Sequence, residues 1–178
     1  MGQNPNELFD IVDDQDRVIG QAPRGIVHAQ NLWHRAVHVI VFNRAGRVFL
    51  QKRSMSKDQA PGLWDSSCAG HLDAGEDYDH AAWRELQEEL GVKLPAPPSR
   101  WMHFRPCEDT GWEFCWIYRI EHEGPFVLHP EEIERGEWVE PRDLTNQIAA
   151  DPKNYCTAFR MIWREAIREK RQPGSSAR

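Results

Sequence analysis

The stretch at residues 70–92, GHLDAGEDYDHAAWRELQEELGV, limits most tightly what this chain can fold into. It holds four glutamates and one arginine between two glycines. Ala82, Leu86 and Leu90 recur every four residues, with Trp83 three before Leu86, which predicts one buried helical stripe. Asp77 or Asp79 suits the N-cap, and Gly91 suits a left-handed stop. Glu85, Glu88 and Glu89 then fall within roughly 60° of one another on a neighbouring face. At this spacing each like-charged pair costs a few tenths of a kcal/mol, on the order of 0.3. They also crowd the negative end of the helix dipole. Local stability therefore does not explain them, whereas a hard divalent cation such as Mg²⁺ or Mn²⁺, which takes oxygen ligands, does. The glycines of the preceding loop allow its backbone to approach such an ion.

The remaining sequence bounds the setting. With 178 residues, 40% of them apolar and eight tryptophans, the chain can build one real core. We expect a single domain over residues 5–171 and a frayed tail at 172–178. The net charge of −6 argues against a general nucleic-acid or membrane-surface binder. No apolar run approaches membrane-spanning length. The opening MGQNPNELFD has neither a basic region nor an apolar core of a signal peptide, so a cytoplasmic location is expected. Cys68, Cys107, Cys115 and Cys156 form no CxxC pair and read as small hydrophobes. Oligomeric state is not legible, and a homodimer stays open.

Along the chain, residues 8–22 read as two short strands around DDQD, followed by a short helix or turn at 24–33. Residues 34–54 are the clearest hairpin, two β-branched runs joined at Asn43-Arg44-Ala45-Gly46. A loop punctuated by Pro61-Gly62 leads to a short strand at CAGHL. Two more strands are expected in WMHFRPC and WEFCWIYRIE. A strand end and a helix follow in GEWVEPRDLTNQIAADP, then an amphipathic helix with Phe159, Ile162, Trp163 and Ile167 on one face. Strands in the middle with flanking helices predict an α/β (α+β) layered domain.

The acid-rich stretch also fits the pattern G-x5-E-x7-R-E-U-x-E-E-x-G-U, with U aliphatic, at every position. Seven fixed residues at roughly 6% background, plus the aliphatic ones, match by chance on the order of 10⁻⁹ per start. This is the Nudix box, and the chain resembles the Nudix family. The resemblance implies an α/β/α sandwich with a mixed sheet that cleaves a diphosphate linkage in a nucleoside diphosphate derivative, with Mg²⁺ or Mn²⁺. It implies Glu88 and Glu89 as metal ligands, the Gly70 carbonyl beside them, and Glu85 as a further ligand or the group that activates water. Glu76 and Arg84 look like the supporting ion pair. Among basic side chains near the box, Lys52, Arg53 and Lys57 are candidates for holding phosphate.

A wider resemblance covers residues 34–71, which look like the type I isopentenyl-diphosphate isomerase branch of that superfamily. Ser56, Lys57, Pro61, Gly62, Trp64, Gly70 and His71 keep that branch's spacing. The isomerase binds a metal through histidines and glutamates, and His28, His34 and His71 lie at similar places, with the His28–His34 interval one residue short. The isomerase's cysteine, however, falls at Ala69. Cys68 is one residue away and should face the opposite side of the strand. Of two expected glutamates only Glu113 is present, with Gly111 at the other place. The box itself is intact. This combination is similar to the isomerase-like Nudix hydrolases and makes Glu113 a candidate base or ligand outside the box. A small-molecule diphosphate is then the expected partner. A double-bond isomerase and a non-catalytic Nudix binding domain are the alternatives, and the intact carboxylates speak against the second.

Overall fold

A computed structural model describes residues 4–171. The tail expected at 172–178 lies outside the described residues. Among the described residues, nine strands and four helices run in the order β1 (Leu8–Val12), β2 (Val18–Pro23), α1 (Arg24–Ala29), β3 (His34–Phe42), β4 (Val48–Arg53), β5 (Trp64–Asp65), β6 (Cys68–His71), α2 (Tyr78–Leu90), β7 (Ser99–Phe104), β8 (Glu113–Glu121), β9 (Ile133–Val139), α3 (Pro141–Ala150) and α4 (Thr157–Arg171). Strand β5 and two short 3-10 turns, Glu108–Thr110 and Pro152–Asn154, fall where only loop was expected. Two residues give too little periodicity to register as a strand.

β1 and β2 form a separate antiparallel ribbon. The main sheet has seven strands in the order β5-β4-β3-β8-β7, with β6 added to β3 and β9 to β4. It is mixed, because β3 and β8 run parallel while their other partners are antiparallel. Along β3, alternation sends Val37, Val39 and Val41 to one face and Ala36, Ile40 and Phe42 to the other. The valine face packs against Ala82, Leu86 and Leu90 of α2, and the second face against Phe159, Ile162 and Trp163 of α4. The result is an α/β/α sandwich with two cores. Leu86 and Leu90 have no exposed surface, so each contributes about 1.5–3 kcal/mol of burial. Trp83 departs from the expected stripe: it is only half-buried, with its Nε1–H donated to Leu94 O at 3.0 Å.

α2 begins where Asp77 accepts the N–H groups of Asp79 and His80, each at 3.0 Å, and ends at Gly91 with φ of 68°. One irregularity of the sheet positions everything that follows. β3 pairs with β4 only at Phe42↔Val48, then uses the same edge to pair with β6 from Ala36 to Val39. β4 and β6 therefore diverge. The segment between β5 and β6 threads this gap with two fully buried serines. Ser67 Oγ accepts Val41 N–H at 2.8 Å and donates to Phe49 O at 2.5 Å, replacing the missing ladder bonds.

Candidate active site

A cleft of about 540 Å³ opens at the divergence, and it gathers residues from both faces of the sheet. On the α2 side, Glu85 and Glu89 are buried, 9% and 3% exposed, whereas the Glu88 side chain is 57% exposed. The helical spacing places all three together, but only the first and third lie directly over β6. Glu85 sits on Gly70 so closely that a Cβ there would overlap its carboxylate. Glu89 Oε2 accepts Ala69 N–H at 3.2 Å and the Gln51 amide at 3.3 Å. Gln51 had no signal in the sequence, since a polar residue at a strand end ordinarily faces solvent.

Arg84 fixes the arrangement. Its Nη1 donates to Glu85 at 2.8 Å and to Glu88 at 3.2 Å. Its Nε and Nη2 form a fork on Glu76 at 3.0 and 2.8 Å, and Nη2 also reaches His71 O. One guanidinium therefore ties the helix to the loop and to β6. Even so, burial, followed by the Glu89 charge, pushes Glu85 up to about 8, and burial raises Glu89 to about 7. Two carboxylates are held where a proton or a cation is required. Replacing Gly70 with alanine is expected to drive Glu85 out of this position. Titration with Mn²⁺ followed by electron paramagnetic resonance should show weakened binding, while unchanged binding would contradict the contact.

On the other side of β6, register brings further groups together. His34 lies opposite Glu113 on β8, and His71 opposite Ala36 on β6. Ring nitrogens of His28, His34 and His71 come within 4.8 Å of one another, the short His28–His34 interval notwithstanding, because α1 turns His28 inward. Arg24 Nη1 contacts His71 Nδ1 at 3.1 Å, and an arginine can only donate. His71 Nε2 therefore carries the proton and donates it to Glu113 Oε1 at 3.0 Å. Burial holds His71 near 3 and His28 near 4, both neutral. Burial works to raise Glu113, but the His34 and His71 imidazoles outweigh it and keep the carboxyl well below the usual range. His34 gives its Nδ1–H to Leu32 O at 2.8 Å. Its Nε2 lies 3.4 Å from Glu113, and among the described residues this atom and His28 Nε2 are buried without a hydrogen-bond partner.

The basic candidates separate. Arg53 and Lys57 line the cleft, paired with Asp65 at 3.1 Å and with Glu132 respectively. Lys52 does not line it: its Nζ reaches Asn154 Oδ1 at 3.3 Å and sits over the Trp64 ring. Neighbours on a strand point to opposite faces, and the sequence does not say which face is which. Arg24, only 4% exposed and paired with Asp58, lines the cleft without having been singled out by any motif. Cys68 is wholly buried on the α2 face, beside Val39 in the register, while Ala69 faces the cleft.

A mixed-sheet α/β/α sandwich thus carries two buried carboxylates of an acid-rich helix against a glycine of a neighbouring strand. A family model described as NUDIX domain matches residues 32–159, and the chain belongs to the Nudix family. It is 38% identical over 147 residues to an uncharacterized Nudix hydrolase of Yersinia pestis, covering 80% of each chain. It is 32% identical over 163 residues to an isopentenyl-diphosphate Delta-isomerase of Serratia proteamaculans, covering 90% of this chain and 91% of that one. Among solved structures, a Deinococcus radiodurans protein superimposes with a TM-score of 0.78 at 28% identity, over 89% of this chain and 98% of that chain. No helix among the described residues is long and apolar enough to cross a membrane.

Proposed function

We propose that this chain hydrolyses a diphosphate linkage in an organic diphosphate, such as a nucleoside diphosphate derivative, with Mg²⁺ or Mn²⁺ bound by the box, and that residues 5–171 act as one unit. The observation that carries this reading is the buried Glu85–Glu89 pair over Gly70. Hard oxygen donors at that density fit a hard divalent ion. Glu85, Glu89 and the Gly70 carbonyl would hold it, with Glu88 able to swing in from the surface. Such an ion supplies charge neutralisation on the phosphoryl oxygens and acidifies water.

The charge balance of the cleft supports the same reading. Among the described residues, nine carboxylates line it against four arginines and lysines. Each of those four already has a carboxylate partner. A diphosphate therefore meets net negative charge unless cations accompany it. Arg24, Arg53 and Lys57 would then exchange carboxylate for phosphate and orient the substrate. Glu85 would take the proton of the attacking water, with Glu113, ionised and held by His71, as the other base within the cleft. His28 Nε2, His34 Nε2 and Glu113 also fit a second ion of the kind that accepts imidazole. In the present arrangement His71 has no free lone pair and acts by holding Glu113.

Phosphate release from nucleoside di- and triphosphates, dinucleotides, nucleotide sugars and isoprenoid diphosphates, with Mg²⁺ and Mn²⁺, tests the proposal. Turnover of at least one class that stops with a chelator is expected. No turnover of any class would sink it, and an allylic product from isopentenyl diphosphate would replace it with isomerisation, for which Ala69 offers no acid.

A further inference from the structure

Beside Ala69, its cross-strand partner, stands His38 in the middle of β3. It is 5% exposed, and its neighbours on the same face, Ala36 and Ile40, are core. Burying an imidazole at such a position costs free energy unless its nitrogens are satisfied. Nδ1 is satisfied: it lies 2.8 Å from Ser66 Oγ. Ser66 Oγ in turn lies 3.2 Å from Cys68 O and 3.4 Å from Asp65 Oδ1. Both of those are acceptors only, so the hydroxyl proton goes to one of them and Ser66 accepts Nδ1–H from the ring. Asp65 is itself fixed, by Ser66 N–H at 2.7 Å and by Arg53 Nη1 at 3.1 Å. The buried track Arg53–Asp65–Ser66 thus sets the tautomer of His38 and leaves a lone pair on Nε2. No protein hydrogen bond reaches Nε2 among the described residues, and His38 lines the cleft. Glu113 and Cys115 stand within 4.8 Å, but Glu113 is already engaged by His71.

We propose that His38 is a specificity-determining residue, accepting at Nε2 a hydrogen bond from an O–H or N–H on the organic group joined to the diphosphate. The inference deepens the hydrolase reading and rests on it. A substrate whose organic group is bare hydrocarbon covers this acceptor without pairing it and is penalised, whereas a hydroxylated one is not.

Two measurements test this. Long-range ¹H–¹⁵N correlation in the unaltered protein should show His38 as the Nδ1–H tautomer, with that preference lost in Ser66→Ala. An Nε2–H tautomer would overturn the proposal whatever the enzyme hydrolyses. Kinetically, kcat/KM for UDP-glucose, rich in hydroxyls, is compared with that for isopentenyl diphosphate, which has none. The ratio should fall by about tenfold in His38→Leu. An unchanged ratio overturns the assignment. If His38→Leu does not fold, Ser66→Ala carries the comparison with the same sign. If the unaltered protein cleaves neither of these compounds nor any other class in the phosphate-release screen, the hydrolase reading is what has failed. Calorimetric binding of the same two compounds then decides: loss of preference in the variant supports His38, and equal preference refutes it.

Discussion

Replacing Glu89 with glutamine is expected to lower metal-dependent hydrolysis by at least roughly 10²-fold, and Glu85→Gln by roughly 10²–10⁴-fold. The amide is nearly isosteric with the carboxylate, so the volume filled at the site is retained. What goes is one negative charge from a buried pair. The same substitutions should leave the metal-free protein at pH 8 no less stable, because an unfavourably ionised buried group has been removed. Activity loss together with collapse of the melting temperature would instead point to a structural role. Full activity in Glu89→Gln, measured on the compound the unaltered protein cleaves best, would overturn its assignment as a ligand.

The second large effect is on stability against pH without metal. Burial raises Glu85 to about 8 and Glu89 to about 7, both from an ordinary value of 4.5. The folded state therefore binds protons more tightly than the unfolded chain between about 4.5 and 8. The corresponding stability is fully present below the unfolded value and is lost as pH rises through the folded values. Chelator-treated protein should accordingly melt at a lower temperature at pH 8.5 than at pH 5.5. Mg²⁺ should reverse the trend, since it binds the ionised carboxylates of the folded state and competes with protons for them. Scanning calorimetry at several pH values, with and without the ion, checks both signs. A melting temperature that rises with pH in the absence of metal would contradict the burial of this pair.

Much of this was legible in residues 70–92. Asp77, the apolar stripe and Gly91 are local signals, acting within one or two helical turns. The two β-branched runs of residues 34–54 likewise announced the strands of the hairpin. Depth was not legible. Period alone groups Glu85, Glu88 and Glu89 on one face, and only β6 beneath α2 decides that the first and last are buried and Glu88 is not. Trp83 moved out of the stripe for the same reason, since its indole N–H finds Leu94 O at the rim. Arg53 and Lys52 are chemically equivalent in a strand until the sheet chooses a face.

The sequence by itself determined the layered class and the acid-rich helix with its cap and stop, because these depend on spacings of a few residues. Only the tertiary structure decided which groups share the cleft. The parallel pairing of β3 with β8 brings Glu113 to His34, from residues 79 positions apart in the chain. The divergence of β4 from β6 opens the sheet, so that Glu89 on one face and His38 on the other reach the same space. His38, inside the buried strand β3, and the two serines between β5 and β6 were singled out by no motif. Their meaning rests on hydrogen bonds across 28 positions, which no local pattern encodes.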